Sequence, residues 1–419
     1  MRRSLIGAVA IAAAAALTVS GCSSSGGGNK GNSGSGGNVT LKLVVADYGT
    51  GPSNTSAKFW QGVIDDFHKA NPDISVKVTA INWNDYDSQV QTLLQNKQIP
   101  DITEGDYNAK YAQDGLLYPM SDVLSDPGNV LSEFTKLDSY NGTQYGIPWT
   151  TSSRTLFYNK KLFSQAGITS PPQTWADIQT DAAKIKKLGK IGFGLPLGSE
   201  EAQAEALLWF LGNNGGYQDS SGKWVINSPQ NVETLNFMKQ LVSAGDTEPN
   251  PGTKNRTADS WTNFANGKVG MVNGSPALIP MIQKAGVLQD SDWASVPIAG
   301  KNGPLNTTLA VCDNVQAFKA NGHQAQIKKF LDFAYQDKYQ VQFDKEYDLL
   351  PATNSAVKAL SSDPTFGPFL KALPNGVQYP GDTVWAQVKS QIQKTIGTAM
   401  TGNPAKVLDA IQQTAESGD

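Results

Sequence analysis

Three loops, each expected to follow a β-strand, combine an acidic side chain with an aromatic one. The pairs are Asp47 with Tyr48, Trp83 with Asp85, and Asp106 with Tyr107. Aromatic rings can cover the apolar C–H faces of a ring-shaped ligand, and carboxylates or amides can hydrogen-bond to its hydroxyl groups. This combination of residues is suited to non-covalent binding of a hydroxyl-rich, uncharged ligand.

Residues elsewhere in the chain extend this set of candidate binding side chains. Trp149 lies at an expected crossover between two domains, and Trp385 begins a late amphipathic segment. The stacking candidates are Trp149, Trp385, Trp83, Tyr107 and Tyr48, and the hydrogen-bonding candidates are Asp106, Asp47, Asp313, Asn314, Ser152 and Glu201. The structural alternative for Trp83 is packing against Tyr86, and the alternative for Asp47 and Asp313 is loop capping.

The chain lacks the usual signatures of catalysis. It contains no G-x-x-x-x-G-K-[ST] loop, no G-x-G-x-x-G and no H-E-x-x-H. Its two histidines, His68 and His323, are far apart in sequence, and Cys312 has no evident histidine partner. Carboxylates are numerous, but no pair stands out as a glycosidase acid and base. We therefore expect neither an enzyme nor a bound metal or cofactor.

Alternating strand and helix patterns position the three loops. Residues 40–46 and 74–78 are typical of buried strands, and residues 100–102 begin a third short strand. Helical periodicity follows the first strand, with Phe59, Trp60, Val63, Ile64 and Phe67 on one face, and again over 85–95. Such a β-α-β-α-β order predicts a parallel sheet, whose ligands lie beyond the carboxyl ends of the strands.

The stretch 145–168 indicates where the chain crosses into a second domain. It leaves the first at Ile147-Pro148, forms a β-prone run up to Tyr158, and ends in a helix closed by Gly167. Further crossovers are expected near 295–298 and 349–351, each with a proline. We therefore predict an α/β fold with two lobes, each a mainly parallel sheet flanked by helices. The predicted ranges are 39–149 with 298–350 for lobe 1, and 150–297 with 351–419 for lobe 2.

The N-terminal segment predicts export and lipid attachment. Arg2 and Arg3 precede an apolar, alanine-rich run over 5–17, and Val19-Ser-Gly-Cys22 resembles the lipobox of bacterial lipoproteins. That resemblance implies a signal peptide over 1–21 and a diacylglycerol on Cys22. Residues 22–38 are almost all Ser, Gly and Asn, so we expect a flexible tether. The expected location is the extracytoplasmic face of the bacterial cell membrane.

Overall charge excludes one class of partner. The formal net charge is −3, and only 17% of residues are charged, with no dominant basic cluster. A nucleic-acid partner is therefore not expected. With Cys22 lipidated, Cys312 has no cysteine left for an intramolecular disulfide. We expect a monomer with a neutral, polar surface.

Seven segments in order resemble the solute-binding proteins of bacterial sugar ABC transporters, the maltose-binding-like group. They are residues 67–74, 82–86, 99–102, 114–122, 158–163, 171–178 and 264–271. The resemblance covers residues 40–419 and implies a two-lobed periplasmic-binding-protein (Venus flytrap) fold. It also implies a sugar ligand, of two or more units, a permease partner, and ATP hydrolysis by a separate subunit.

Within that resemblance, Asp106 matches the position of a sugar-binding carboxylate and Trp385 that of a stacking aromatic. The sequence departs from the family at Pro276, where many relatives carry tryptophan, so a maltose specificity is not implied. The alternatives are a polyol- or other-solute-binding protein of the same fold, a secreted carbohydrate-active enzyme, and an adhesin or sensor without a permease.

Overall fold

A computed structural model describes residues 38–49, 51–135, 138–363 and 365–417. The predicted signal peptide, the lipidation site Cys22 and all of the tether except Asn38 lie outside the described residues. Within the described ranges, no helix is both long enough and apolar enough to cross a lipid bilayer.

The strands of the described chain form two main sheets and a small hairpin. The first sheet has the order β12-β6-β11-β3-β1-β2, the second has the order β10-β7-β9-β8, and β4 pairs with β5. The strands are β1 (Val39–Asp47), β2 (Ile74–Asn82), β3 (Ile102–Gly105), β4 (Ser139–Tyr140), β5 (Thr143–Gln144), β6 (Ile147–Ser153), β7 (Thr155–Asn159), β8 (Ile191–Gly194), β9 (Val269–Gly274), β10 (Trp293–Val296), β11 (Ala310–Ala317) and β12 (Leu350–Pro351).

Helices cover the two sheets and connect their strands. They are α1 (Ser56–Ala70), α2 (Tyr86–Gln95), α3 (Ala109–Gln113), α4 (Met120–Val123), α5 (Ser132–Thr135), α6 (Lys160–Gln165), α7 (Trp175–Lys186), α8 (Ala202–Leu211), α9 (Pro229–Ser243), α10 (Thr262–Ala265), α11 (Leu278–Ala285), α12 (Gln324–Ala334), α13 (Asp337–Tyr347), α14 (Asn354–Leu360), α15 (Gly367–Ala372), α16 (Trp385–Thr395) and α17 (Pro404–Glu416). Short 3-10 turns and one π-helical turn, Arg256–Trp261, complete the set.

Local sequence signals explain why the helices begin and end where they do. Helix α1 buries all five residues of its predicted apolar face, and the side chain of Thr55 caps its N-terminus. The N-cap of helix α7 is Thr174, which forms a reciprocal capping box with Asp177. After α6, Gly167 has a φ of +67°, a conformation that glycine adopts without strain.

Strand β1 lies between β3 and the edge strand β2 in the first sheet. Leu41, Leu43 and Val45 pack into one hydrophobic cluster, while Val44 and Ala46 pack into another. Because successive side chains of a strand point to opposite faces, the two clusters lie on the two sides of the sheet. Both faces of β1 are therefore covered, as the continuous apolar run of the sequence predicts.

The two-lobed α/β fold is confirmed, but both sheets are mixed. Across the described strands, β1 is parallel to β2 and β3, and β8 is parallel to β9. The strands that link the lobes introduce antiparallel pairings, since β11 runs antiparallel to β3 and β6, and β7 runs antiparallel to β9 and β10. A chain that passes between lobes and returns must reverse direction, so the expectation of mainly parallel sheets was wrong.

The crossover lies at Arg154, a few residues later than predicted. Strand β6 stays in the first sheet as far as Ser153, and β7 joins the second from Thr155. The Thr308 hydroxyl forms two hydrogen bonds with the backbone of Arg154: it accepts one from the N–H and donates one to the carbonyl. Val377 in turn exchanges backbone hydrogen bonds with Thr308 and Ala310. Three chain segments thus meet beside Arg154.

The other two crossovers also differ from their predicted places. Val296 still pairs with Leu156 in the second sheet, and Pro351 still pairs with Thr150 in the first. The segments that meet at Arg154 contain no proline at the point of crossing, so proline composition was a poor guide to them. The residue ranges given above for the two lobes remain a prediction.

Candidate functional site

A small cavity of about 20 Å³ lies between the two lobes. Its walls come from the ends of α2 and β3 and the loop after β3 on one side, and from the first turns of α16 on the other. Three predicted site residues, Asp106, Tyr107 and Trp385, meet here, together with Asp87 and Lys389. The carboxyl end of β3 is therefore at the interlobe cleft, as expected for a ligand site of an α/β sheet.

The position of Asp106 depends on the preceding residue, Gly105, whose backbone lies close to the ring of Tyr86. A Cβ added to Gly105 would lie 2.5 Å from a ring carbon of Tyr86, so only glycine fits at the end of β3. The chain then turns and presents Asp106 to the second lobe, where its carboxylate accepts a hydrogen bond from the Lys389 ammonium. Sequence reasoning did not foresee this partner.

Lys389 joins the two lobes by charge. Its side chain is 8% exposed and its Nζ also lies 2.5 Å from Oδ2 of Asp87. Burial raises the pKa of Asp106, and the Lys389 charge opposes that rise. For Lys389, burial lowers the pKa but the two carboxylates outweigh it, so the ammonium stays charged. One cation of the second lobe thus binds two carboxylates of the first.

Replacing Lys389 with Met is expected to open the cleft of the ligand-free protein. The methionine keeps the apolar stem but leaves Asp87 and Asp106 unpaired, and the closed state loses roughly 1 kcal/mol after allowance for the exposure of Asp87. That loss corresponds to a shift of about fivefold in the open-to-closed ratio, which raises the radius of gyration in small-angle X-ray scattering. Lys394→Met, an exposed position of the same helix, is the control. An unchanged radius in Lys389→Met would rule out this ion pair as an interlobe contact.

Trp385 lines the second-lobe side of the cavity and packs against three other aromatic rings. Trp385 stacks on Tyr379 at 5.3 Å and on Trp224 at 6.4 Å between ring centroids, and Tyr217 packs against it at 5.3 Å. The Tyr379 hydroxyl is buried and has no hydrogen-bond partner, although the charges of Glu201 and Asp106 act on it. The Tyr379 hydroxyl is therefore a buried, unused hydrogen-bonding group next to the ring that lines the cavity.

A charge network holds the crossover and the start of α8 together. Arg154, 5% exposed, donates to Oε1 of Glu201 at 2.8 Å, and Arg256 binds the other oxygen of Glu201. Arg256 also lies 3.2 Å from Glu200 and 4.6 Å above the Trp261 ring. Burial raises the pKa of Glu201, but Arg154 and Arg256 outweigh it and the net pKa is lowered. Glu201 therefore stays ionised.

Tyr48 has a different role from the predicted stacking. Its hydroxyl lies 2.6 Å from Oε1 of Glu104 and 2.9 Å from Oδ2 of Asp313. Its ring is packed edge-on against Trp83 and Phe343. Asp313 lies at a β-bulge between β11 and β6, which directs this carboxyl towards Tyr48 and the next side chain, Asn314, towards Asp138.

Three predicted hydrogen-bonding or stacking residues have local partners. Oδ1 of Asp47 accepts from the backbone N–H groups of Gly49 and Ser56, which is the loop-capping alternative. Trp83 packs on Tyr48 and Tyr86, as its structural alternative had it. The Ser152 hydroxyl accepts a hydrogen bond from Arg154 at 2.8 Å.

Trp149 lies in the core of the first lobe and not on the cleft. It is 1% exposed, stacks on Trp60 at 4.7 Å and packs edge-on against Tyr335 and Phe343. Every residue of β6 is buried, so alternation along this strand does not indicate which of its faces is nearer the cleft. Its assignment as a stacking residue is corrected accordingly.

Asn314 and Tyr107 lie beside a second buried carboxyl, Asp138. The Asn314 amide donates to Oδ1 of Asp138 at 3.3 Å, and the charge of Asp138 raises the pKa of Tyr107 beyond the effect of burial. The Tyr107 hydroxyl, Oδ1 of Asn314 and Oδ2 of Asp138 are buried without hydrogen-bond partners. These three residues lie next to the cavity, because Tyr107 is part of its lining.

Sequence reasoning missed Arg154, Arg256, Lys389, Tyr379 and Glu104. One signal for the arginines was available: beyond residue 3 the chain contains only two arginines, and both bind Glu201. Lysine and tyrosine are common in the sequence and carry no such signal. The described residues contain no group of three or more His, Cys, Asp or Glu placed to hold a metal ion.

Curated relatives match this chain over most of its length. A protein of Brucella abortus, named only as a binding protein, is 27% identical over 334 residues, which are 76% of this chain and 77% of the relative. The diacetylchitobiose-binding protein of Streptomyces coelicolor is 25% identical over 417 residues, with 93% of this chain and 91% of the relative covered.

A solved structure and a family comparison agree with this pattern. The ABC transporter solute-binding protein of Thermotoga lettingae, determined with α-D-tagatose, aligns with a TM-score of 0.79 and 21% identity, over 90% of this chain and 99% of that one. The family described as bacterial extracellular solute-binding protein matches residues 62–368, well over half of the chain. The chain is therefore a member of the bacterial extracellular solute-binding proteins and acts outside the cytoplasm.

Proposed function

We propose that this protein is the receptor of an ABC importer, and that it captures a sugar, of two or more units, between its lobes and delivers it to the permease. The observation that carries the proposal is the composition of the cavity between the lobes, where tyrosine rings and carboxylates of the first lobe meet Trp385 and Lys389 of the second. The relative from Streptomyces coelicolor is named for diacetylchitobiose, an uncharged disaccharide, which supports this ligand class. No catalysis by the chain is required.

The charges at the cleft favour an uncharged ligand. Arg154 and Arg256 are both bound to Glu201, and Lys389 is bound to Asp87 and Asp106. An anionic ligand would have to displace a carboxylate from one of these cations and would meet the remaining carboxylates at close range. A neutral, hydroxyl-rich ligand can donate to the same carboxylates without this penalty.

Separate roles follow for the residues of the cleft. Trp385 and Tyr379 cover the apolar face of a sugar ring, and the unused Tyr379 hydroxyl binds a sugar hydroxyl. Opening of the cleft separates Asp106 from Lys389, and Asp106 can then accept hydrogen bonds from sugar hydroxyls. Asp313 of the first lobe and Glu201 of the second also accept hydrogen bonds from the sugar. The remaining predicted residues hydrogen-bond to neighbouring groups of the protein and hold the site in place: Tyr48, Asp47, Ser152 and Asn314.

Ligand capture then operates by lobe closure. The two lobes share a narrow connection where three chain segments meet beside Arg154. A ligand that contacts both lobes only in the closed state shifts the population towards closure by that difference in affinity. The closed form would dock on the membrane permease as a monomer.

The N-terminal segment would hold the receptor near its permease. We propose cleavage after residue 21, a lipid on Cys22 and a tether over residues 22–38, on the strength of the lipobox-like sequence Val19-Ser-Gly-Cys22. A single anchored receptor on a tether stays within reach of the permease while its lobes remain free to close.

Thermal unfolding of the purified protein against mono-, di- and oligosaccharides and polyols tests this function. A ligand at a hundred times its Kd is expected to stabilise the protein by about 2.7 kcal/mol. Chromatography of the recovered sugar then separates a receptor from an enzyme, because a receptor returns it unaltered. Two results would contradict the proposal. One is stabilisation by a polyol but by no sugar, and the other is turnover of the sugar.

A further inference from the structure

A single hydroxyl joins two buried carboxyl groups in the first lobe. The Tyr48 oxygen lies within hydrogen-bonding distance of Glu104 and Asp313, at 2.6 and 2.9 Å. A phenol has one hydrogen to donate, and an ionised carboxylate only accepts. Both contacts are hydrogen bonds only when one carboxyl carries a proton. The proton either lies on Asp313, which donates to Tyr48 while Tyr48 donates to Glu104, or lies on Glu104 with both bonds reversed.

Burial makes a state with two charges unfavourable here. Glu104 is fully buried and Asp313 is 8% exposed. Burial, followed by the charge of Asp106, raises the pKa of Asp313 to about 7, and burial raises the pKa of Glu104 well above its ordinary value. The hydrogen bonds from Tyr48 oppose both shifts without cancelling them. The geometry and the burial therefore agree on one shared proton.

The neighbouring charges connect this pair to lobe closure. The titratable and charged groups that face the pair come from both lobes. Those of the first lobe are Tyr48 after β1, Tyr86 on α2, Asp106 after β3, Cys312 on β11, Asp138, and Tyr335 and Tyr347 at the ends of α12 and α13. The others are Lys389 on α16, which binds Asp106, and Glu201 before α8, which binds Arg154 at the crossover. Glu201 belongs to the second lobe and raises the pKa of Asp313, with Arg154 opposing it by a smaller amount. Opening the cleft removes this influence and rehydrates Asp313.

We infer that closure of the lobes around a ligand takes up one proton from solvent, which Glu104 and Asp313 hold together through the hydroxyl of Tyr48. This inference rests on the proposed receptor function. A carboxyl group that binds its proton more tightly in the closed state favours closure at low pH, and that advantage is lost as the pH rises through the closed-state pKa. Ligand affinity is therefore expected to fall as the pH rises past neutrality.

Titration calorimetry with diacetylchitobiose as the probe at pH 6 and pH 8 tests the linkage. The wild-type affinity is expected to be about five- to tenfold higher at pH 6. In Glu104→Gln the amide donates permanently to Tyr48, which donates to Asp313, so the pH ratio falls to about one. Asp344→Asn, another fully buried carboxyl, bonded to Thr150 away from the cleft, is expected to keep the wild-type ratio.

A wild-type ratio near one, or an undiminished ratio in Glu104→Gln, would overturn the inference. If diacetylchitobiose binds at neither pH, the inference is tested on the ligand-free protein by carbon-13 NMR titration of its carboxyl groups. Asp313→Asn is used to assign the Asp313 signal. A transition near neutrality that is absent from Asp313→Asn supports the shared proton. Because opening rehydrates Asp313, its midpoint is expected to move towards the acid range in Lys389→Met, whose cleft opens. The same midpoint in both proteins, or a normal acidic midpoint for Asp313 in the wild type, overturns the inference whatever the outcome for the sugar.

Discussion

Replacing Glu201 with Ala is expected to lower the free energy of unfolding by about 3 kcal/mol and to abolish sugar binding. The substitution leaves Arg154, a buried guanidinium, without its carboxylate, and removes one of the two carboxylates that bind Arg256. Removing one partner of a buried ion pair typically costs about 3–5 kcal/mol, and the lower end applies because Glu201 keeps some solvent contact. Binding fails because the crossover at Arg154 and one wall of the cleft lose their order together.

Urea unfolding measures the loss of stability, and the thermal-shift panel measures the loss of binding. Glu233→Ala is the matched control, since Glu233 also bridges to a basic side chain, Lys301, but at the surface, and no measurable change in stability is expected. A loss below about 1 kcal/mol for Glu201→Ala would show that the network contributes little to the fold.

Replacing Trp385 with Ala is expected to raise the Kd for the sugar at least about a hundredfold, the effect of a central aromatic contact in a binding site. The ring lines the cleft and stacks on Tyr379 and Trp224, so its removal also lets the Tyr379 ring leave its place. Truncating this buried ring costs about 3 kcal/mol of stability as well.

The matched control separates these two effects. Trp293→Ala removes a partly buried tryptophan from β10, at the edge of the second sheet, where the ring stacks on Phe157. It is expected to lower stability while leaving the Kd unchanged when both are measured by calorimetry below the unfolding range. Equal losses of affinity in the two variants would mean that Trp385 acts through stability alone.

The sequence was sufficient for the elements and for part of the cleft. The apolar face of α1 is a local pattern and is confirmed, and Asp106 lies after β3 at the cavity. Local patterns are readable because helix periodicity and capping depend on residues a few positions apart. The same holds for the loop of Asp106, which follows directly from the end of a buried strand.

The rest depended on contacts between distant parts of the chain. Arg154 and Arg256 bind a glutamate that is 47 and 55 positions away, and Lys389 binds Asp106 across 283 positions. Trp149 could not be placed because β6 is buried on both faces, so its alternation carries no information about the cleft. The presence of only two arginines beyond residue 3 was the one compositional hint of a charge network.

The measurement that tests the proposed function most directly is a crystal structure of the protein with the sugar that stabilises it most. We expect the sugar between the lobes, with a ring face on Tyr379 or Trp385 and hydroxyl groups within 3.2 Å or so of Asp106 and Asp313. The Lys389 contacts to Asp87 and Asp106 are expected to rearrange around it. A sugar bound elsewhere, such as the outer groove beside Trp175 and Phe237, with the cleft unchanged, would contradict the assignment of this site.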